Sequence, residues 1–75
     1  MNHNKKYNLK ALRALKGLTQ NEAGALVGVS GDVWGSWERG KSYPDVLDIS
    51  KIESAFGVSY NDIIFLQSDT VLNGI

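Results

Sequence analysis

The 75-residue chain has no cysteine, which excludes a disulfide framework or a thiolate metal site as the prop of so short a fold and leaves helix packing to stabilise it. It has one histidine; His3 has no second ligand nearby, so no metal is expected. No apolar run approaches the roughly 20 residues that a bilayer span requires. The start Met1-Asn2-His3-Asn4-Lys5-Lys6 leads into no signal-peptide stretch, so no membrane partner is expected and the chain reads as cytoplasmic. Paired carboxylates, a nucleophile beside a base and a glycine-rich phosphate loop are all missing. That pattern argues against an enzyme, and no cofactor is implied.

Net charge is zero, with eight Lys and Arg against eight Asp and Glu. A nucleic-acid partner is not favoured by that balance, because cations supply most non-specific affinity for phosphates. The distribution says more. Lys5, Lys6, Lys10, Arg13 and Lys16 precede Gly17 without an acid, whereas the rest of the chain sets Arg39, Lys41 and Lys51 against all eight acids. An anionic partner would therefore meet selected basic residues of a dipolar surface. Lys5, Lys6 and Lys10 read as a solvated helix face or as an arm reaching a polyanion.

A chain of this length makes one domain. Leu9, Leu12 and Leu15 predict a first helix from about Lys5 to Lys16, stopped by Gly17. Thr19-Gln20-Asn21-Glu22 has the form of a capping box and starts a second helix at Gln20, with Ala23, Leu26 and Val27 as its apolar face and Gly28 as its stop. Ser30 caps a third helix, Gly31 to about Arg39, with Asp32 favoured in its first turn and Val33, Trp34 and Trp37 on one side. Val46, Ile49, Ile52 and Phe56 mark a fourth helix ended by Gly57. Ser59 with Asp62 is expected to cap a fifth helix through Ile63 and Ile64. The resulting fold class is all-α, a compact five-helix bundle over residues 1–66, with 67–75 a C-terminal tail.

Two short helices joined by a tight glycine turn meet the requirement for laying one helix in a major groove while the other crosses the backbone. Leu9-Lys10-Ala11-Leu12-Arg13, Gly17-Leu18-Thr19-Gln20, Val29-Ser30, Trp37-Glu38-Arg39-Gly40-Lys41, Pro44 and Phe56-Gly57-Val58-Ser59 with Asp62-Ile63-Ile64 occur in order. On these motifs the sequence resembles the lambda-repressor-like, Xre-type helix-turn-helix regulators of phages and mobile elements. The resemblance implies double-stranded operator DNA as partner, a homodimer and a repressor-like role.

It also implies roles for single residues. Thr19 and Gln20 would hold one phosphate, and Arg39, Lys41 and Ser42 would grip the backbone across the groove. Tyr43 reads as a loop packing residue or a further phosphate contact. Arg13 and Glu38 match a structural ion pair, and Trp34 and Trp37 match core positions. The base-reading surface would be Ser30, Gly31, Asp32, Gly35 and Ser36. Members of the family usually carry longer polar side chains there, because bidentate contacts to bases need reach. Ala23, Gly24 and Glu53 also differ from the usual choices, so looser helix contacts are expected around them. A depleted reading face keeps an alternative open, in which the same fold docks on another phage regulator protein as an antirepressor.

Overall fold

A computed structural model describes residues 6–65. The tail assigned to 67–75, together with Lys5 and Leu66, lies outside the described residues. A strand β1 (Tyr7–Asn8) leads into α1 (Leu9–Leu15), α2 (Gln20–Leu26), α3 (Gly31–Glu38) and α4 (Val46–Phe56); a single 3-10 turn at Tyr60–Asp62 then delivers strand β2 (Ile63–Ile64). The two strands pair in parallel, Tyr7 with Ile63 and Asn8 with Ile64.

The first helix begins later than its apolar spacing predicts, because the Asn8 side chain accepts the Ala11 N–H at 2.8 Å and so fixes the N-cap at residue 8. Tyr7 is thereby released into the strand. Lys6, just before the strand, donates its ammonium to the Asn61 carbonyl at 3.1 Å. The expected fifth helix is not formed, and the described residues hold four helices. Asp62 N–H closes one tight turn on the Ser59 carbonyl at 2.8 Å. The β-branched pair Ile63-Ile64 then extends and satisfies its backbone against β1, which a helix there would leave unpaired.

Every layer contributes to one core: Leu9 and Leu12 from α1, Ala23 and Val27 from α2, Trp34 and Trp37 from α3, Ile52 from α4, and Ile63 from β2. The Trp34 ring centroid lies 5.8 Å from that of Trp37 and 5.6 Å from that of Phe56. Four residues read as apolar-face positions point outward instead, with Leu15 at 69%, Leu26 at 52%, Val33 at 39% and Val46 at 85% exposure. For the first three, helix geometry gives the reason. At 100° per residue, Leu15 has walked about 120° from Leu9, and Leu26 and Val33 lie more than about 100° from the centres of their helices' buried faces.

The turn between α2 and α3 is closed by backbone alone. Gly28, at φ +79°, lets its own N–H reach the Ala25 carbonyl (3.3 Å) and that of Val29 reach the Gly24 carbonyl (2.9 Å). This paired arrangement satisfies the last carbonyls of α2 and requires a left-handed residue at position 28. Ser30 then caps α3 by accepting the Val33 N–H at 3.1 Å, so α3 leaves the turn in a fixed direction.

Candidate nucleic-acid interface

The start of α2 is a complete capping box. Thr19 Oγ1 accepts the Glu22 N–H at 3.0 Å and Glu22 Oε1 accepts the Thr19 N–H at 2.9 Å. The N–H groups of Gln20 and Asn21 remain directed out of the helix end, where the helix dipole also favours an anion. The Gln20 carboxamide folds toward α3, its Nε2 donating to Glu38 Oε1 at 3.0 Å. One Nε2 hydrogen is left for another acceptor.

Glu38 is where three elements meet. Its carboxylate, 6% exposed, accepts from Arg13 Nε at 2.7 Å and Arg13 Nη2 at 3.3 Å, from Gln20 Nε2, and from Trp34 Nε1 at 2.6 Å. Arg13 spends a further donor on the Leu18 carbonyl at 3.0 Å. Burial alone would raise the Glu38 carboxyl, but the hydrogen bonds from Arg13, Gln20 and Trp34 outweigh it and hold the group below the usual carboxylate range. The hydrogen bond to Glu38 in turn raises the Arg13 guanidinium. Both members of the expected ion pair thus lie in contact between α1 and α3, and the Trp34 N–H ends on the same carboxylate.

Fewer of the residues expected to read bases face outward than their spacing implies. Gly31 and Gly35 are buried, one turn apart on the side of α3 that faces α2. A Cβ on Gly31 would fall on the Asn21 carboxamide oxygen and within 3.1 Å of the Asn21 Cα. A Cβ on Gly35 would meet Arg39 Nη1 at 3.1 Å and Gln20 Oε1 at 3.2 Å. These two glycines bring helices together and are not offered to a base edge. Gly24 acts in the same way: a Cβ there would stand 2.6 Å from the Val29 carbonyl oxygen and 2.8 Å from that of Ser30. The expectation of looser contacts at Gly24 is therefore reversed, since the turn backbone fills the space that a side chain would need.

What α3 turns outward is Asp32, Val33 and Ser36, within about 100° of one another around the axis. Ser30, the remaining residue of the expected reading set, is exposed at the N-cap. The Ser36 hydroxyl is shared with Ser42 at 2.8 Å, and the Ser36 carbonyl accepts the Lys41 N–H at 3.0 Å. Ser36 and Ser42 thereby tie the loop after α3 to the helix. Val33 lies only about 40° from Trp37 around the axis, so apolar spacing alone puts it on the tryptophan side; the burial of Gly31 and Gly35 swings the centre of the buried face away from it and leaves it outward.

Of the expected backbone-gripping residues, Arg39 and Lys41 are exposed and Ser42 is half-buried. Tyr43 sets its ring edge-on to Phe65, the centroids 6.5 Å apart. The space above Gly35 brings Gln20 from the start of α2 and Arg39 from the end of α3 within about 3 Å of one point. Candidate anion contacts from both helices therefore sit side by side. Among the described residues no group of three His, Cys, Asp or Glu could hold a metal, and no helix is long and apolar enough to cross a membrane.

Residues 9–63 match the family described as helix-turn-helix. Over 63 residues the chain is 36% identical to an uncharacterized HTH-type transcriptional regulator, y4dJ, of Sinorhizobium fredii, a match that covers 84% of this chain and 82% of that protein.

Proposed function

The chain belongs to the lambda-repressor-like, Xre-type helix-turn-helix family, and from that premise we propose that it regulates transcription by binding double-stranded operator DNA with α3 in the major groove. The observation that carries this reading is the meeting of Gln20 and Arg39 above Gly35. Gln20, with Thr19, holds one phosphate at the start of α2. Arg39, Lys41 and Ser42 grip the backbone beyond the end of α3, with Tyr43 beside them. Asp32, Val33, Ser36 and the N-cap Ser30 face the bases. Glu38 and Arg13 hold α3 against α1 and touch no DNA.

The protein acts as a homodimer on a two-fold site, in a repressor-like role, because eight residues of recognition helix read too few base pairs for useful specificity. Val46, Leu47 and Tyr60, respectively 85%, 64% and 52% exposed, supply the apolar surface that a second copy would cover. The test is a gel shift with the DNA upstream of the protein's own coding sequence, at low and moderate salt. Binding is expected to weaken with salt, and Lys41→Ala should lower the slope by roughly one counterion while Gln20→Ala weakens all sequences alike. If no duplex is bound at low salt, while these substitutions disrupt a complex with another regulator protein, docking on that regulator becomes the function of the fold.

A further inference from the structure

We infer that Val33 is the side chain through which α3 distinguishes bases, and that it reads the 5-methyl group of a thymine; the inference rests on α3 being the helix that enters the groove. The outward face of α3 is unusually poor in groups that read bases by hydrogen bonds. Gly31, Trp34, Gly35 and Trp37 are buried, and Glu38 is committed to Arg13, Gln20 and Trp34. Ser36 shares its hydroxyl with Ser42, and Ser30, whose oxygen accepts the Val33 N–H, offers one hydroxyl hydrogen that does not tell base types apart. No arginine, lysine, glutamine or asparagine stands on α3 between its two caps, so the bidentate donors that select guanine or adenine are missing.

Asp32 and Val33 remain. The Asp32 carboxylate is exposed and can only accept, so it tolerates the amino groups of cytosine and adenine alike and opposes the carbonyl oxygens of guanine and thymine. Alone it separates bases into two classes. Val33 is 39% exposed and presents a branched apolar group, held stiffly by its β-branch. The major groove offers one apolar feature that matches it, the thymine methyl. Docked anywhere else in the groove, the isopropyl group would displace water from polar base edges and return no hydrogen bond. Docked on the methyl, it gains from mutual burial, and burying one such group changes affinity by about fourfold.

The experiment uses the full chain and a duplex enriched from a randomised pool. Each thymine of that duplex is then replaced singly by deoxyuridine, which removes the methyl and keeps every hydrogen bond. In the unaltered protein one deoxyuridine is expected to weaken binding about fourfold, and the loss should vanish in Val33→Ala but persist in Val33→Ile. Val33 is exposed and alanine favours helix, so Val33→Ala is expected to fold. Indifference to every deoxyuridine, or an equal loss in Val33→Ala, overturns the assignment of Val33 and leaves DNA binding intact. Failure to enrich any duplex at low salt overturns both the assignment and the function it rests on.

Discussion

The helix-turn-helix half and the α4 half of this molecule use side-chain size in opposite ways. Where α3 meets α2, the contact is made by removing side chains: Gly24 and Gly31 allow close approach of the turn backbone and of Asn21, and Gly35 leaves room for the ends of the Gln20 and Arg39 side chains. The polar groups caught in that contact converge on Glu38. On α4 the large apolar residues are abundant but only Ile52 is fully buried, and Val46 and Leu47 face outward. Precision in the first half comes from close approach and directed hydrogen bonds, which tolerate little change. The second half anchors the bundle through one deep residue and keeps its remaining apolar surface available.

The largest break in that contrast should come from Arg13→Ala. It leaves the Glu38 carboxylate, 6% exposed, without its cation, and truncating one partner of a buried pair costs about 3–5 kcal/mol. In a domain of this size each kcal/mol moves the melting temperature by roughly 4–8 °C. Leu47→Ala, at an exposed position of α4, should stay within about 0.5 kcal/mol when melted at a concentration where the chain is monomeric. Equal melting shifts for the two would remove the distinction between the halves. The same pair sets an acid limit. Because the folded Glu38 carboxyl lies below its ordinary value, its contribution is complete above that ordinary value, about 4.3, and is lost as pH falls through the lower folded one. Glu38→Gln should therefore flatten the fall of melting temperature between about pH 5 and pH 2, and a profile parallel to the unaltered protein's would show that other carboxylates govern acid unfolding.

A smaller but still destabilising effect is expected from Gly24→Ala. Alanine gains about 1 kcal/mol in helix propensity over glycine, yet its methyl would stand 2.6 Å and 2.8 Å from two backbone carbonyl oxygens of the turn. Neither oxygen can yield without moving the turn that aims α3, and overpacking of this kind costs about 1–3 kcal/mol. Thermal melts should show a net loss. A gain would mean that the turn is compliant and that its glycine is not what fixes the direction of α3.

Much of this architecture is legible in the sequence, and most of what is not depends on contacts between segments distant in the chain. The caps at Thr19 and Ser30 and the stops at Gly17, Gly28 and Gly40 are local signals, complete within four or five residues, and they delimit the helices as expected. The segment at Ile63-Ile64 was misread as helix because its partner, β1, lies more than fifty residues away in the chain. Gly31 and Gly35 read as outward positions in the sequence, yet stand buried, because a missing side chain looks the same whether it faces solvent or a neighbouring helix. Only the position of α2 separates those cases. Val33 was hidden by a different error, in which apolar character was taken for burial on a helix too short to bury more than one stripe.

The smallest effect on stability, and the sharpest test of the site, is expected from Gly35→Ala. Here the added methyl would meet Arg39 Nη1 at 3.1 Å and Gln20 Oε1 at 3.2 Å, both at the ends of flexible side chains that can shift by a few tenths of an ångström. The propensity gain of about 1 kcal/mol then outweighs the crowding, and the melting temperature should hold or rise by a few degrees. The cost falls on the interface instead, because Gln20 and Arg39 are moved from the positions in which they stand side by side. Weakening one hydrogen bond by about 0.7 kcal/mol corresponds to roughly threefold in affinity, and the loss should be the same on every DNA sequence since backbone contacts carry no base information. A melting loss as large as that of Gly24→Ala would show the space above Gly35 to be as rigid as the turn. Unchanged melting with unchanged affinity would show that Gln20 and Arg39 are neighbours without a shared role in holding DNA.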